Sequence, residues 1–206
     1  MNKFSILHIS DLHRKPESFD NESLIFAIKK DIELLKENGI SPPEFCIVTG
    51  DLIQGSLEDG EKSFIEIRKQ YQITADLLTK IAEIILNKET KNVIILPGNH
   101  DRCLSLAKEA FSGLQLPDDD VEKKQLFYES QNPSALKRFC PVQLSYFIAD
   151  ISKYKNRFNL FSEFYNNFYN GNKIFNLDRD KQFTIHCFEE RGLVIATLNS
   201  ASGIDN

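Results

Sequence analysis

A chain of 206 residues, 41% hydrophobic and 27% charged, is long enough for one large domain with a real core and too mixed in composition for a disordered or fibrous protein. Its net charge of −5 and pI of about 5.5 exclude a global basic field that would gather nucleic acid, although a local basic groove stays open. The four cysteines (Cys46, Cys103, Cys140 and Cys187) form no CxxC pair, which excludes a zinc knuckle and leaves them as reduced thiols.

The first residues, Met1 to Arg14, hold a short apolar run broken by His8 and closed by Asp11, too early for a signal-peptide core. No stretch approaches the ~18 apolar residues of a membrane span, so a cytoplasmic protein without a membrane partner is expected. Phe4–Ile9 reads as a buried strand, with His8 as a satisfied core histidine. Asn21–Asn38 carries Leu24, Ile28, Ile32 and Leu35 at helical spacing, and Gly39 closes it. Pro42-Pro43 precede a second buried strand, Phe45–Thr49. A polar loop, Gly50–Gly60, leads into helical periodicity from about Ser63 to Leu86, and Val93–Leu96 is the third strand. The order β-α-β-α-β predicts a parallel sheet with crossover helices packed on it.

Beyond Arg102 the pattern changes. Leu104–Phe111 reads as helical, and Asp118-Asp119-Asp120 as a solvated loop that caps a further helix. Half of the chain's Phe and Tyr residues fall between Ser134 and Phe175, and Phe158, Phe161, Phe164/Tyr165 and Phe168 make a stripe at helical spacing. A helical, aromatic-rich insert at about 104–180 is expected. The stripe is its apolar face or, alternatively, a wall of a substrate cleft. Phe183–Phe188 and Leu193–Leu198, joined by Glu189–Gly192, read as a hairpin.

The three β-α strands end alike: Asp11-Leu12-His13, Gly50-Asp51-Leu52, and Gly98-Asn99-His100-Asp101. In a parallel sheet the crevice beyond the carboxyl ends of the strands is where ligands bind. Asp, His and Asn offer oxygen and nitrogen donors for Mn, Fe or Zn without any thiolate. Each block alone is weak, since Gly-Asp and Gly-Asn serve as turns, but three in order, each closing a strand, are not explained as turns.

These blocks resemble the signature of the calcineurin-like metallophosphoesterases: D-x-H, then G-D, then G-N-H-D, each at a strand end. The resemblance runs from residue 4 to about residue 101 and returns more loosely over 193–201. It implies an α/β metallophosphoesterase fold, a β-sandwich flanked by helices. It also implies hydrolysis of a phosphoester at two divalent ions, Mn favoured over Fe or Zn. Asp11 and His13 would ligate the first ion, Asp51 would bridge, and Asn99 would ligate the second. His100 would contact the substrate phosphate and protonate the leaving group, and Asp101 would orient His100 by a hydrogen bond. A hydroxide between the ions would attack phosphorus in line. Arg102 is a further phosphate contact or a surface residue, and Asn199 and Ser200 stand at the site's edge.

The flanks "HISDLH", "TGDLIQGS" and "LPGNHD" look like the cyclic-nucleotide-phosphodiesterase-like branch. The Asp-Arg-Gly of the phosphoprotein phosphatases is absent after Asp51. A nucleotide or nucleic-acid phosphodiester is the expected substrate, with a DNA/RNA nuclease as the alternative. From another class, the alternative is a non-catalytic module that binds phosphate or a partner protein. The family pattern continues with a lone His and a G-H-x-H, which these residues lack. His186 lies mid-strand ahead of the last strand and is read as structural. The 206 residues are therefore expected to be an N-terminal portion whose further C-terminal residues complete the site, with weak metal binding and an inactive centre when alone.

Overall fold

A computed structural model describes residues 4–15, 21–86, 88–130, 137–141 and 143–202. The elements in chain order are β1 (Ser5–Ile9), α1 (Asn21–Glu37), β2 (Pro43–Thr49), α2 (Glu61–Ile85), β3 (Val93–Leu96) and α3 (Leu104–Glu109). Then come β4 (Phe111–Leu114), α4 (Asp120–Ser130), β5 (Lys137–Cys140), β6 (Ser145–Ala149), α5 (Ile151–Tyr154), α6 (Asn159–Phe168), β7 (Phe183–Phe188) and β8 (Leu193–Leu198).

The mixed α/β architecture is present. β1, β2 and β3 form a parallel sheet in that order, with Ile9 opposite Val48 and Thr49 opposite Leu96. Helices α1 and α2 touch each other, as two crossovers of one hand on one face of a sheet would. Central β2 is the best covered strand, with Phe45, Cys46 and Val48 almost fully buried. β1 is an edge strand, contrary to its reading as a buried one: Ile6 is 44% exposed. His8 is exposed and its Nε2 pairs with Thr49 Oγ1 at 2.8 Å, so it is no core histidine. An edge position leaves one flank of a strand to solvent, which alternation over five residues does not reveal.

The segment after α3 carries the expected helices and also an antiparallel sheet, ordered β4-β6-β5. Phe111, read as the end of a helix, begins β4. Asp119 caps α4 as expected, its carboxylate accepting from the amides of Val121 (2.8 Å) and Glu122 (3.0 Å). The hairpin lies where the sequence placed it, with Phe183 opposite Leu198 and Phe188 opposite Leu193. Cys46 and Cys103 are buried thiols, Cys187 is exposed, and none is in a disulfide. No described helix is long and apolar enough to cross a membrane.

The aromatic stripe belongs to the main core. Phe158 and Phe161 are fully buried and join Ile67, Tyr71, Leu77, Leu78 and Ile81 of α2 in one apolar cluster. Phe164 stacks on Tyr71 at 4.7 Å and 13°, and Tyr169 donates its hydroxyl to the Val93 carbonyl of β3 at 2.6 Å. A stripe of rings at helical spacing is thus packed against α2 and the sheet rather than walling a cleft. Truncating Phe161, which faces Tyr71, Phe158, Phe164, Tyr165 and Phe175, is expected to cost about 3–5 kcal/mol. A Phe161→Ala chain whose urea midpoint stays at the wild-type value would contradict this packing.

Candidate metal centre

The loops after β1 and β2 continue the parallel ladder past the ends of the strands. The amides of Asp11, His13 and Arg14 donate to the carbonyls of Gly50 (3.3 Å), Asp51 (2.9 Å) and Leu52 (3.0 Å), and Arg14 bridges Ile53. The turns sort the side chains of this extension. Leu12, Leu52 and Ile53 turn into the core, while Asp11, His13 and Asp51 stay outside it. The Gly50 amide donates to the Leu96 carbonyl at 3.1 Å, which ties the third strand end to the other two.

The backbone here is strained where the chemistry is expected. Asp11, His13 and Asp51 have φ of 53°, 42° and 50°, in the left-handed region. Each costs of the order of 1 kcal/mol in a residue with a Cβ, although Asp and His tolerate it better than most. Two glycines make the close approach possible. A Cβ on Gly50 (φ 80°) would lie 2.7 Å from the Gly98 Cα, and one on Gly98 would lie 2.2 Å from Asp51 Oδ1. Gly98 is therefore needed because Asp51 passes over it, not only because the chain turns.

Asp51, His13 and His100 converge. One ligand atom from each lies within 4.8 Å of the others. His13 Nε2 is 4.0 Å from Asp51 Oδ2, and the two imidazoles meet edge to face with centroids 4.6 Å apart. His100 is held from two sides: its amide donates to Asp51 Oδ1 at 2.9 Å, and its Nδ1 donates to the Gln54 carbonyl at 2.9 Å. A carbonyl only accepts, so Nδ1 carries the proton and Nε2 keeps its lone pair in the neutral ring. His13 Nδ1 is buried with no hydrogen-bond partner. Asp11 and Asn99 are exposed, and Asp11 stands outside the three-residue group.

Asp101 does not orient His100, contrary to the expectation. Its carboxylate is 1% exposed and accepts from the Gly98 amide (2.8 Å), the Leu52 amide (3.2 Å) and the Tyr71 hydroxyl (3.3 Å). Tyr71 also reaches the Asp101 carbonyl at 2.9 Å. Burial pushes the Asp101 carboxyl up to about 7 against those hydrogen bonds, with the charge of Asp51 adding to the rise. The carboxylate is a clamp between the second and third blocks, and the Gln54 carbonyl takes the role given to it. Removing the phenol hydroxyl by Tyr71→Phe is expected to cost about 1–2 kcal/mol of stability. It should also weaken metal binding about 10-fold, as losses behind a ligand commonly do. Urea unfolding and a Mn²⁺ titration check both; wild-type values in each would contradict the clamp.

The other expected positions fall as follows. Arg102 is half-buried in the turn after Asp101. Asn199 spends its side chain on Gln182 Oε1 (2.8 Å) and the Ala201 amide (2.8 Å), and Ser200 is exposed. His186 is mid-strand and buried, and burial with nearby Lys173 lowers it to about 4. A cavity of about 1090 Å³ is lined by Pro43, Leu86, Asn92 and His186, at the opposite end of the sheet, and none of the three blocks lines it.

Sequence reading missed Gln54, Tyr71 and Gln70, whose amide brackets Gly55 at 3.0 and 2.9 Å. The signal available for α2 was polar Gln70 and Thr74 inside the apolar stripe of Ile67, Tyr71, Leu77 and Leu78.

The donor set fits a divalent cation. Two imidazoles and a carboxylate suit Zn, Mn or Fe. Ligand bonds of about 2.0–2.2 Å let two donors sit up to ~4.4 Å apart across one ion, and the His13–Asp51 separation of 4.0 Å falls inside that. The family model of the calcineurin-like phosphoesterases matches residues 4–199. No curated protein and no solved structure matches the chain.

Proposed function

The chain belongs to the calcineurin-like phosphoesterase family, and from that premise we propose that it is a divalent-metal-dependent hydrolase of phosphodiesters in a nucleotide or nucleic acid. The observation that carries the reading is the meeting of His13, Asp51 and His100 at the carboxyl ends of the parallel strands.

A bound divalent ion, Mn²⁺ favoured, would lower the pKa of a water and withdraw charge from the phosphoryl oxygens. His13 and Asp51 would hold it, and a two-ion centre would add Asp11 and Asn99. Asp51 Oδ1 fixes the His100 amide at 2.9 Å, and the Gln54 carbonyl fixes the ring. The imidazole is therefore held from both sides and would need little reorganisation as charge develops on the phosphoryl group. Asp101 and Tyr71 hold the Gly98 and Leu52 backbones so that neither loop drifts. Arg102, one residue beyond, is assigned by this reading to a phosphate of the substrate.

The test is turnover of a nitrophenyl phosphodiester with Mn²⁺. Activity that a chelator removes and Mn²⁺ restores supports the reading; activity indifferent to the chelator, or wild-type turnover by His100→Ala, contradicts it. Oligonucleotide binding that weakens steeply with salt would shift the substrate to nucleic acid, which a net charge of −5 disfavours. Phosphate binding without turnover would mark a binding module.

A further inference from the structure

We propose that the cavity of about 1090 Å³ at the amino ends of the parallel strands binds a small organic carboxylate with an apolar body, whose head pairs with Lys173. The site is separate from the candidate metal centre, because no residue of the three polar blocks lines it. It does not depend on the metal-dependent reading above.

The cavity lies where α1, the end of α2, the start of β2 and the β7–β8 hairpin meet. Ile32, Leu86, Phe45 and Phe188 supply apolar wall, and the Phe45 and Phe188 rings stand edge to face with centroids 4.5 Å apart. Small-molecule sites commonly occupy ~300–1000 Å³ and combine such walls with a few polar groups. The space therefore admits an organic molecule and not only water.

The charged groups of the walls choose the ligand's head. Glu44 already pairs with Arg191 at 2.8 Å, and Glu89 with Lys91 at 3.3 Å. Glu189 and Glu190 are exposed in the hairpin turn, and Lys36 is exposed near the end of α1. Lys173 differs from all of these. It is half-buried, its Nζ donates to the Lys91 carbonyl at 3.3 Å and lies 4.1 Å from the centre of the Tyr169 ring. No carboxylate pairs with it among the described residues. Desolvation lowers this ammonium to about 8, as expected of a charge whose lost hydration no opposite charge replaces. His186, buried in the same wall, is kept neutral by burial and by the Lys173 charge, so it supplies no second cation. A carboxylate would return to Lys173 the partner that burial took away. One cation matches a monoanion, and a dianion would also meet the charges of Glu44 and Glu89.

Calorimetric titration of the 206-residue protein with decanoate is expected to show one-to-one binding that decylamine, of equal chain length and opposite charge, does not reproduce. Lys173→Met removes the charge and keeps an apolar stem over Tyr169. It should weaken decanoate at least about 10-fold, as loss of a charged hydrogen bond does, and Lys173→Arg should retain binding. The chain has four histidines, His8, His13, His100 and His186, so a side-chain ¹⁵N spectrum of the histidine-labelled protein locates the ligand. Decanoate should move the His186 ring and leave His13 and His100 in place, and unmoved His8, His13 and His100 signals in Lys173→Met show that its fold is intact. Absence of decanoate binding, equal binding of decylamine, wild-type affinity in Lys173→Met, or movement of His13 and His100 in place of His186 would each overturn the proposal.

Discussion

Asp51→Ala is expected to abolish phosphodiester turnover and to weaken Mn²⁺ binding on the order of 10³-fold or more, beyond the 10–100-fold that partners behind the ligands cost. Three functions converge on this carboxylate. It supplies the only full negative charge in the group with His13 and His100, and an imidazole pair alone does little to offset a divalent cation. Its Oδ1 accepts the His100 amide at 2.9 Å, so truncation also frees the turn that carries His100. Its backbone carbonyl receives the His13 amide at 2.9 Å, which an alanine retains. Asp51→Asn separates these effects: the amide oxygen still accepts from His100, but the charge is gone. If Asn behaves as Ala, charge dominates; if Asn binds Mn²⁺ markedly better, the positioning bond matters too. Near-wild-type turnover by the alanine variant would remove the site assignment altogether.

Gly98→Ala should be nearly as damaging although it touches no ligand chemically. A methyl at residue 98 would sit 2.2 Å from Asp51 Oδ1 and 2.4 Å from the Asp51 amide, closer than real contacts allow. Neither atom belongs to a long flexible side chain that could swing aside, because Oδ1 is tied to the His100 amide. The backbone of one loop must move, and the Asp101 clamp on the Gly98 amide resists. The expected cost is about 1–3 kcal/mol of stability, with Mn²⁺ affinity lowered about 100-fold or more, in line with displacement of a ligand rather than of its support. Calorimetric Mn²⁺ titration and urea unfolding measure the two. Unchanged metal affinity would mean that Asp51 does not need its observed position.

The parts of this fold that were legible in the sequence are those in which local pattern and tertiary role agree. Val93–Leu96 and the hairpin strands are short runs of β-branched and apolar residues bounded by turn residues, and they fall where expected. The three polar blocks were legible because each adds side chains that a turn does not need. β4, β5 and β6 were not, since Phe111–Leu114 and Lys137–Cys140 have four residues each and gain their strand character from pairing with β6. His8 was misplaced because alternation marks a strand but not whether its neighbour exists on both sides.

The limits at the site are of another kind. The His100 partner is a backbone carbonyl, at Gln54, and every residue type offers one, so no side-chain pattern reports it. Asp101 was assigned to His100 by adjacency, yet its carboxylate faces back to Gly98 and across to Leu52 and Tyr71. Adjacent residues in a turn point in different directions, and only the backbone decides which. Gly98 read as a turn residue for a similar reason: its steric role depends on Asp51, 47 positions earlier in the chain.

The most direct test of the account is an anomalous difference map from a crystal of the 206-residue protein soaked in Mn²⁺. The account predicts a peak enclosed by His13, Asp51 and His100, within bonding distance of His13 and Asp51, and lost in Asp51→Ala. A well-ordered site with no peak there, or with Mn²⁺ bound only at other residues, would contradict it.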